Sequence, residues 1–198
     1  MIVVATPTRD SVTAGFAADL VKLCRRRLDV KFFAPIGIYI SNLRQSAVRA
    51  AQQLAATHVL FIDSDMRFPD DTVDRLLAYN APIIGANAVQ RTMPELWTAR
   101  KQGRSLSSIG RTGIEAVDSL GFGAMLIKLS VFDVLKRPWF STPYEGDTHV
   151  GEDLTFCREA SRAGFSIYVD HDLSQVVKHT GSIEWGVENA PDREAVPA

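Results

Sequence analysis

The chain has 198 residues and 46% hydrophobic composition, which suits one compact core and leaves little length for a second domain. Its 22 basic and 23 acidic side chains nearly cancel, to a formal net charge of -1, so it lacks the global positive field of a nucleic-acid or membrane-surface binder. It shows neither a secretory leader pattern nor an apolar run of membrane-spanning length, so we expect a cytoplasmic protein with no membrane partner. Cys24 and Cys157 lack metal-type spacing and are expected to be free thiols.

The first half of the chain alternates predicted strands and helices, a pattern typical of an α/β fold. Residues 2–5 form a short apolar strand, and Ser11 is a plausible N-cap for the helix that follows. Residues 30–40 look extended, and residues 43–54 have the apolar spacing of a second helix. His58–Ile62 is a continuous apolar run, as in a strand buried on both faces of a parallel sheet.

The second half has a different character and predicts hairpins within a mixed sheet. A Gln102-Gly103 turn lies between two extended segments, and residues 114–128 look like one long strand. Residues 152–163 form a helix that ends before a glycine. The composition then turns polar, so we predict one domain over residues 1–183 and a C-terminal tail over residues 184–198.

Asp63-Ser64-Asp65 is the sharpest chemical feature, because it follows the buried strand His58–Ile62 directly. Two carboxylates at the mouth of such a strand are costly to keep ionised unless a cation or water reaches them. Oxygen ligands of this kind suit Mg²⁺ or Mn²⁺, which would bridge the phosphates of a nucleotide. The structural alternative is a polar strand end that caps the following loop.

Three further residues are candidates for chemistry, each beside a structural alternative. Glu152 and Asp153 open a helix, where acidic groups also suit the helix dipole, and one of them is predicted to face the pocket as a general base. His179 is a candidate third metal ligand, although a lone histidine is more often structural. No role is predicted for His171.

Polar and small residues at other loops are expected to approach a ligand. Thr6, Pro7 and Arg9 follow the first strand, where an α/β sheet forms its ligand crevice. Arg44 heads the second helix and could reach a phosphate or a carboxylate, while a surface role explains it equally well. Gly123, inside a strand pattern, indicates either close backbone approach to a ligand or a bulge.

In this order, the features resemble the GT-A fold of nucleotide-sugar glycosyltransferases, in a minimal version like those of bacteria and bacteriophages. The resemblance spans most of the chain and rests on residues 3–8, 61–65, 121–127, 151–153 and 177–179. It implies a single α/β domain with a mixed central sheet flanked by helices. It also implies metal-dependent transfer of a sugar from a nucleotide-diphosphate sugar, with a UDP-sugar expected, to an acceptor hydroxyl.

The same resemblance implies roles for the acidic and histidine residues. Asp65 would bind Mn²⁺ or Mg²⁺ directly, Asp63 would contact the ribose or a metal-bound water, and His179 would be the late metal-binding histidine. Asp153 would be the base of an inverting enzyme, with Glu152 assisting acceptor binding.

Donor contacts follow from the resemblance as well. Thr6 and Arg9, with Pro7 between them, would lie near the nucleotide base. Arg44 would lie near the diphosphate, and Ser64 belongs to the donor loop. The backbone of residues 121–124, including Gly123, would lie near the sugar or the acceptor.

The acceptor remains open: a glycan, a small molecule, a protein or a modified nucleic-acid base. An apolar platform for the acceptor and a homo-oligomer contact are both alternatives to core packing for the large aromatic residues Trp97, Trp139, Phe140 and Trp185. Two other functions are weighed: a haloacid-dehalogenase-type phosphatase that uses Asp63 and Asp65, and a non-catalytic nucleotide-sugar-binding protein. A nucleotidyltransferase is disfavoured because no Gly-rich triphosphate loop follows the first strand.

Overall fold

The computed structural model describes residues 1–90 and 97–181. The predicted tail, residues 184–198, and the end of the predicted domain, residues 182–183, lie outside the described residues. The strands are β1 (Ile2–Ala5), β2 (Val30–Phe33), β3 (His58–Ile62), β4 (Met66–Arg67), β5 (Ile83–Ala86), β6 (Arg100–Lys101), β7 (Arg104–Ser105), β8 (Ile114–Val117), β9 (Ala124–Lys128), β10 (Tyr144–Glu145), β11 (Thr148–His149), β12 (Ile167–Asp170) and β13 (Lys178–His179). The helices are α1 (Ala14–Arg26), α2 (Ile40–Gln53), α3 (Thr72–Ala78), α4 (Leu129–Val134), α5 (Glu152–Arg162) and α6 (His171–Ser174).

A mixed sheet forms the centre of the described part, with seven strands in the order β2-β1-β3-β9-β5-β12-β8. Strand β1 pairs in parallel with β2 and β3, and β12 pairs in parallel with β5. Strand β9 lies antiparallel between β3 and β5, so β3 and β5 run in the same direction. The carboxyl ends of β1, β2, β3, β5 and β12 therefore meet at one edge of the sheet. This architecture confirms the predicted α/β class with a mixed sheet flanked by helices.

The two faces of the sheet bury separate apolar cores. Val3 and Ala5 point to the face covered by α2, α4 and α5, whereas Ile2 and Val4 point to the opposite face, where Phe16 and Leu23 of α1 pack. This follows from the alternation of side chains along a strand. The first core holds a cluster of buried aromatic rings whose neighbouring centroids lie 5.2–6.0 Å apart: Phe61, Phe122, Phe132, Trp139, Phe140 and Phe156.

Three local predictions are wrong. Helix α1 is capped by Thr13 rather than Ser11, because the Thr13 hydroxyl accepts the Phe16 N–H at 3.1 Å. The extended stretch predicted over residues 30–40 ends at Phe33. Residues 114–128 form two strands, β8 and β9, because β8 pairs with β12 at the edge of the sheet while β9 enters its centre.

Other local predictions are confirmed. Gln102 and Gly103 have φ values of 51° and 73°, and they join β6 to β7 in a tight turn. Gly164 follows α5 with a φ of 88°. Both cysteines are free thiols. Within the two described ranges, no helix is both long and apolar enough to cross a bilayer.

Candidate functional site

The loop that contains Asp63 and Asp65 leaves β3 at the edge where the parallel strands end. Its backbone is held from three sides: the Asp63 N–H donates to Gly123 O at 3.3 Å, the Met66 N–H donates to Asp63 O at 3.1 Å, and the Thr13 N–H donates to Ser64 O at 3.3 Å. The first contact comes from the residue before β9, and the last from the cap of α1. The position of the two carboxylates is therefore set by the sheet and by the first helix.

The short ribbon β4–β13 brings His179 to Asp65. His179 pairs with Met66 in this ribbon, and the Thr180 N–H donates to Asp65 O at 2.8 Å. His179 Nε2 lies 3.2 Å from Asp65 Oδ1, while His179 Nδ1 lies 3.0 Å from Val89 O. Residues far apart in the sequence thus place an imidazole beside a carboxylate.

The surroundings of the His179 ring fix what lies between it and Asp65. A carbonyl oxygen can only accept, so Nδ1 carries a proton and donates it to Val89 O. Nε2 then faces the Asp65 carboxylate. Because the lone pairs of Nε2 and Asp65 Oδ1 repel each other at 3.2 Å, a proton or a cation is required between the two atoms. A histidine whose second nitrogen donates to a backbone carbonyl is the usual arrangement of a metal ligand.

The residues fit a divalent cation as a two-donor set. Among the described residues, no group of three or more His, Cys, Asp or Glu side chains lies close enough to hold a metal ion. Mg²⁺ is commonly held by one or two protein carboxylates, with substrate phosphates and water completing its shell. Asp65 supplies one such carboxylate with His179 beside it, whereas Asp63 contacts Arg44 through Oδ1.

Arg44 is the buried link between two carboxylates of the site. Its Nη2 donates to Asp63 Oδ1 and its Nε donates to Glu152 Oε1, each at 3.1 Å. Its guanidinium carbon lies 4.3 Å from the ring centroid of Phe122 and 5.5 Å from that of Phe61. The side chain is 4% exposed. Of the alternatives for Arg44, the surface position is therefore wrong and the contact with a carboxylate is confirmed. The predicted diphosphate contact would have to be made by a guanidinium that already holds two carboxylates.

Asp153 points away from Glu152 and lines a polar cavity. The cavity has a volume of about 190 Å³ and is lined by Gln90, Thr98, Arg100, Ser119, Leu120, Gly151, Asp153 and Leu154. Asp153 Oδ1 accepts the Leu154 N–H at 2.7 Å. The two adjacent carboxylates predicted as catalytic residues therefore have different surroundings: Glu152 is paired with Arg44, and Asp153 faces a cavity with hydroxyl and guanidinium groups.

The residues after β1 lie at the same edge, but they differ in exposure. The pairing of Ala5 with Phe61 places Thr6 next to the end of β3. Thr6 is fully buried, and its hydroxyl has no hydrogen-bond partner among the described residues. Pro7 is buried, whereas Arg9 is exposed. Of these three residues, Arg9 is thus the one that a ligand in solution can reach directly.

Gly123 is close to protein atoms where a side chain would start. A Cβ there would lie 3.3 Å from Ala88 Cβ and 3.4 Å from Met66 Cε. The two predicted explanations of this glycine, close approach to a ligand or a bulge, stay predictions, and what the structure shows is close packing against Ala88 and Met66 of the chain itself. Its carbonyl supports the loop by accepting the Asp63 N–H.

A buried polar network lies beside the site and was missed by the sequence reasoning. Asn87 Nδ2 donates to Ser108 Oγ at 3.0 Å, Ser108 Oγ lies 2.9 Å from His171 Nδ1, and His171 Nε2 lies 3.1 Å from Glu115 Oε2. With the His171 proton on Nε2, each group donates to the next: Asn87 to Ser108, Ser108 to His171 Nδ1, and His171 Nε2 to Glu115. Asn87 Oδ1 accepts the Ala99 N–H at 2.8 Å, so the network also holds the chain that enters the β6–β7 hairpin.

A signal for this network exists in the sequence. Asn87 and His171 directly follow β5 and β12, just as Asp63 follows β3. At the outer end of the network, hydrogen bonds from Lys101, and then from His171, lower the pKa of Glu115 to about 2. The nearby charge of Arg111 acts in the same direction. The network is therefore anchored on a carboxylate that stays ionised at neutral pH.

Comparisons with known proteins support the fold and go no further. The sequence matches no protein-family model and no curated protein. Among solved structures, the crystal structure of A197 from STIV matches with a TM-score of 0.62 at 16% identity, over 85% of this chain and 80% of that one. The chain has a GT-A-like α/β fold.

A second solved structure is described as a glycosyltransferase involved in the glycosylation of the major capsid of PBCV-1. It matches with a TM-score of 0.38 at 12% identity, over 85% of this chain and 92% of that one. At this score, the match carries no argument about activity. The functional conclusion therefore rests on the geometry of the site.

Proposed function

We propose that the chain is a metal-dependent glycosyltransferase that moves a sugar from a nucleoside-diphosphate sugar, with UDP-sugars as first candidates, to an acceptor hydroxyl. The observation that carries this proposal is the contact between Asp65 and His179. His179 is oriented by Val89 O so that Nε2 faces Asp65 Oδ1 at 3.2 Å. An imidazole and a carboxylate held in this way form a site for Mn²⁺ or Mg²⁺ at the edge where an α/β sheet binds nucleotides.

The donor would lie along the loops after β1 and β3. Arg9 is exposed next to this edge, and the backbone around Thr6 and Pro7 would border the nucleotide base. A divalent cation bound to Asp65 and His179 would supply charge neutralisation for the departing nucleoside diphosphate. The backbone contacts of Ser64 keep this loop fixed as the donor enters.

The acceptor would enter the polar cavity that Asp153 lines. There the Asp153 carboxylate accepts the proton of the acceptor hydroxyl as that oxygen forms a bond to the anomeric carbon of the sugar. The bond between this carbon and the diphosphate oxygen breaks, and the nucleoside diphosphate leaves. Ser119, which also lines the cavity, supplies a hydroxyl group that can orient a polar acceptor, whereas the Thr98 hydroxyl already accepts the Ala88 N–H at 3.2 Å. Attack from the side of Asp153, opposite the leaving group, inverts the configuration.

The first experiment is a thermal-shift series with UDP, GDP and dTDP, each with and without Mn²⁺, on the wild type, Asp65→Ala and Asp133→Ala. Ligands that bind the folded state raise its melting temperature by mass action. Asp133 is an exposed residue of α4 and serves as the matched control. We expect a Mn²⁺-dependent shift with one nucleotide, lost in Asp65→Ala and kept in Asp133→Ala.

Activity is then measured as release of the nucleoside diphosphate from the matching nucleotide sugar. Release with water or an added alcohol as acceptor supports glycosyl transfer. Binding without release in any acceptor screen would indicate a non-catalytic nucleotide-sugar-binding protein. The absence of any metal-dependent shift, together with phosphate release from p-nitrophenyl phosphate, would overturn the proposal in favour of the phosphatase.

A further inference from the structure

The start of helix α5 is held by a contact that crosses the protein interior. Glu152 is the first residue of α5, and its side chain is 14% exposed. It accepts from Arg44 Nε, which comes from α2, 108 residues earlier in the chain. The N-cap Gly151 makes no side-chain capping bond. Thr155 Oγ1 donates to Gly151 O at 3.0 Å within the turn, and Glu152 supplies the side-chain contact that ties the turn to a distant element.

Arg44 connects this turn to the Asp63 loop. The same guanidinium donates to Glu152 Oε1 and to Asp63 Oδ1, each at 3.1 Å, and packs against the ring of Phe122. Its planar fork suits two separate carboxylates better than the point charge of a lysine does. Because Arg44 is almost fully buried, its position is set by packing and not by solvent. Asp63 and Glu152, which would repel each other, are thus held at a fixed separation.

The orientation of Asp153 follows from that of Glu152. The two residues are neighbours in the first turn of one helix, so their side chains leave the axis about 100° apart. When Glu152 faces Arg44, Asp153 faces the polar cavity. Gly151 leaves room for this arrangement, because a Cβ there would lie 2.6 Å from Asp153 Oδ1. Releasing Glu152 would let the first turn rotate or fray and move Asp153.

We infer that Glu152 and Arg44 are positioning residues, which set the place of Asp153 by tying the start of α5 to the Asp63 loop. This inference rests on the proposed function, since it assigns Asp153 as the base. It replaces the predicted role of Glu152 in acceptor binding. A positioning residue acts on the chemical step, because a displacement of a reacting group by about 1 Å can cost about 100-fold in rate.

The test uses the full chain and the nucleotide sugar, from a UDP-, GDP- and dTDP-sugar panel, that the wild type hydrolyses with Mn²⁺. The variants are Glu152→Ala and Glu152→Gln, each made in the wild type and in Asp153→Asn. We expect Glu152→Ala to lower kcat by about 10- to 100-fold with the donor KM changed by less than about threefold. Glu152→Gln should recover most of the rate, because its amide oxygen still accepts from Arg44 Nε.

The Asp153→Asn background distinguishes positioning from general destabilisation. If Glu152 acts through Asp153, Glu152→Ala lowers kcat little further once Asp153 is Asn. An equal fold-loss in both backgrounds would overturn the inference, as would an unchanged kcat in Glu152→Ala. Glu159→Ala, an exposed residue on the same helix, is the matched control and should keep the wild-type rate.

Failure of the proposed function gives a different result. If the wild type hydrolyses none of the sugars, or if Asp153→Asn leaves kcat unchanged, the assignment of the base fails and the inference fails with it. If Asp153→Asn is slow but Glu152 variants are not, the base stands and the positioning role alone is refuted. Melting temperatures are measured for all variants, and Glu152→Gln provides the comparison if Glu152→Ala does not fold.

Discussion

Glu115 is predicted to contribute stability that disappears in acid. Its carboxylate oxygens lie 2.7 Å from Lys101 Nζ, 2.7 Å from Arg111 Nη1 and 3.1 Å from His171 Nε2. These partners lower its pKa from 4.5 to about 2. The substitution Glu115→Gln keeps the shape of the side chain and removes its charge. It should therefore weaken all three contacts without opening a cavity.

The magnitude follows from the lowered pKa. A change from 4.5 to about 2 corresponds to an upper limit of about 3.4 kcal/mol in the free energy of unfolding. The side chains of Lys101 and Arg111 are 43% and 47% exposed, so solvent screens their contribution. We therefore expect Glu115→Gln to lower the free energy of unfolding by about 1–2 kcal/mol at pH 7.

The sign of the pH dependence is fixed by the direction of the change. Because folding lowers the pKa of Glu115, its stabilising effect is complete above about pH 4.5 and is lost as the pH falls towards 2. Urea unfolding of the wild type and Glu115→Gln, followed by tryptophan fluorescence at pH 7, 5, 4 and 3, should show the two curves converging. Glu145→Gln, at an exposed ion pair with Arg158, is the control. A difference that is as large at pH 3 as at pH 7 would refute the electrostatic explanation.

Three further predictions concern the metal pair and the core. His179→Gln should weaken Mn²⁺-dependent nucleotide binding by at least about tenfold in calorimetric titration, and unchanged affinity would remove His179 from the site. Gly85→Ala should lower the free energy of unfolding, measured with urea, by about 1–3 kcal/mol or more, because the added Cβ would lie 2.3 Å from Ala124 O. An unchanged free energy of unfolding would show that β5 and β9 can move apart at little cost. Phe156→Ala should cost about 3–5 kcal/mol, since the ring is fully buried and stacks at 5.4 Å on Phe140. A loss below about 1 kcal/mol would mean that the core collapses into the space.

The elements with strong local signals were predictable from the sequence. His58–Ile62 is a nearly continuous apolar run because both of its faces are covered. The residue that follows such a strand lies at the edge of the sheet where the parallel strands end, which is where α/β folds bind ligands. Helix α5 and its stop at Gly164 follow from spacing and a glycine in the left-handed region. These features depend on residues close together in the chain, which is why periodicity and cap chemistry identify them.

Non-local contacts were not predictable in the same way. The arginine at position 44 has the same sequence context whether it faces solvent or the interior, and its burial follows only from the rings of Phe61 and Phe122 folding around it. His171 was given no role because nothing near it in the sequence points to Ser108 or Glu115. Its two partners arrive from β8 and from the loop before it, through the pairing of β8 with β12.

The place of β9 in the sheet has a consequence for the order of assembly. His58–Phe61 can pair on one side with β1 as soon as both segments have been synthesised, but the other side of β3 has to wait for Ala124–Lys128. Until those residues emerge, a nascent chain carries an open, fully apolar strand edge, the kind of surface that pairs with other chains. Chains truncated before Ala124 keep that edge permanently, and in them strand β5 lacks both of its partners, β9 and β12. Strand β9 thus covers the exposed edge of β3, which we expect to reduce aggregation, and it also joins β3 to β5.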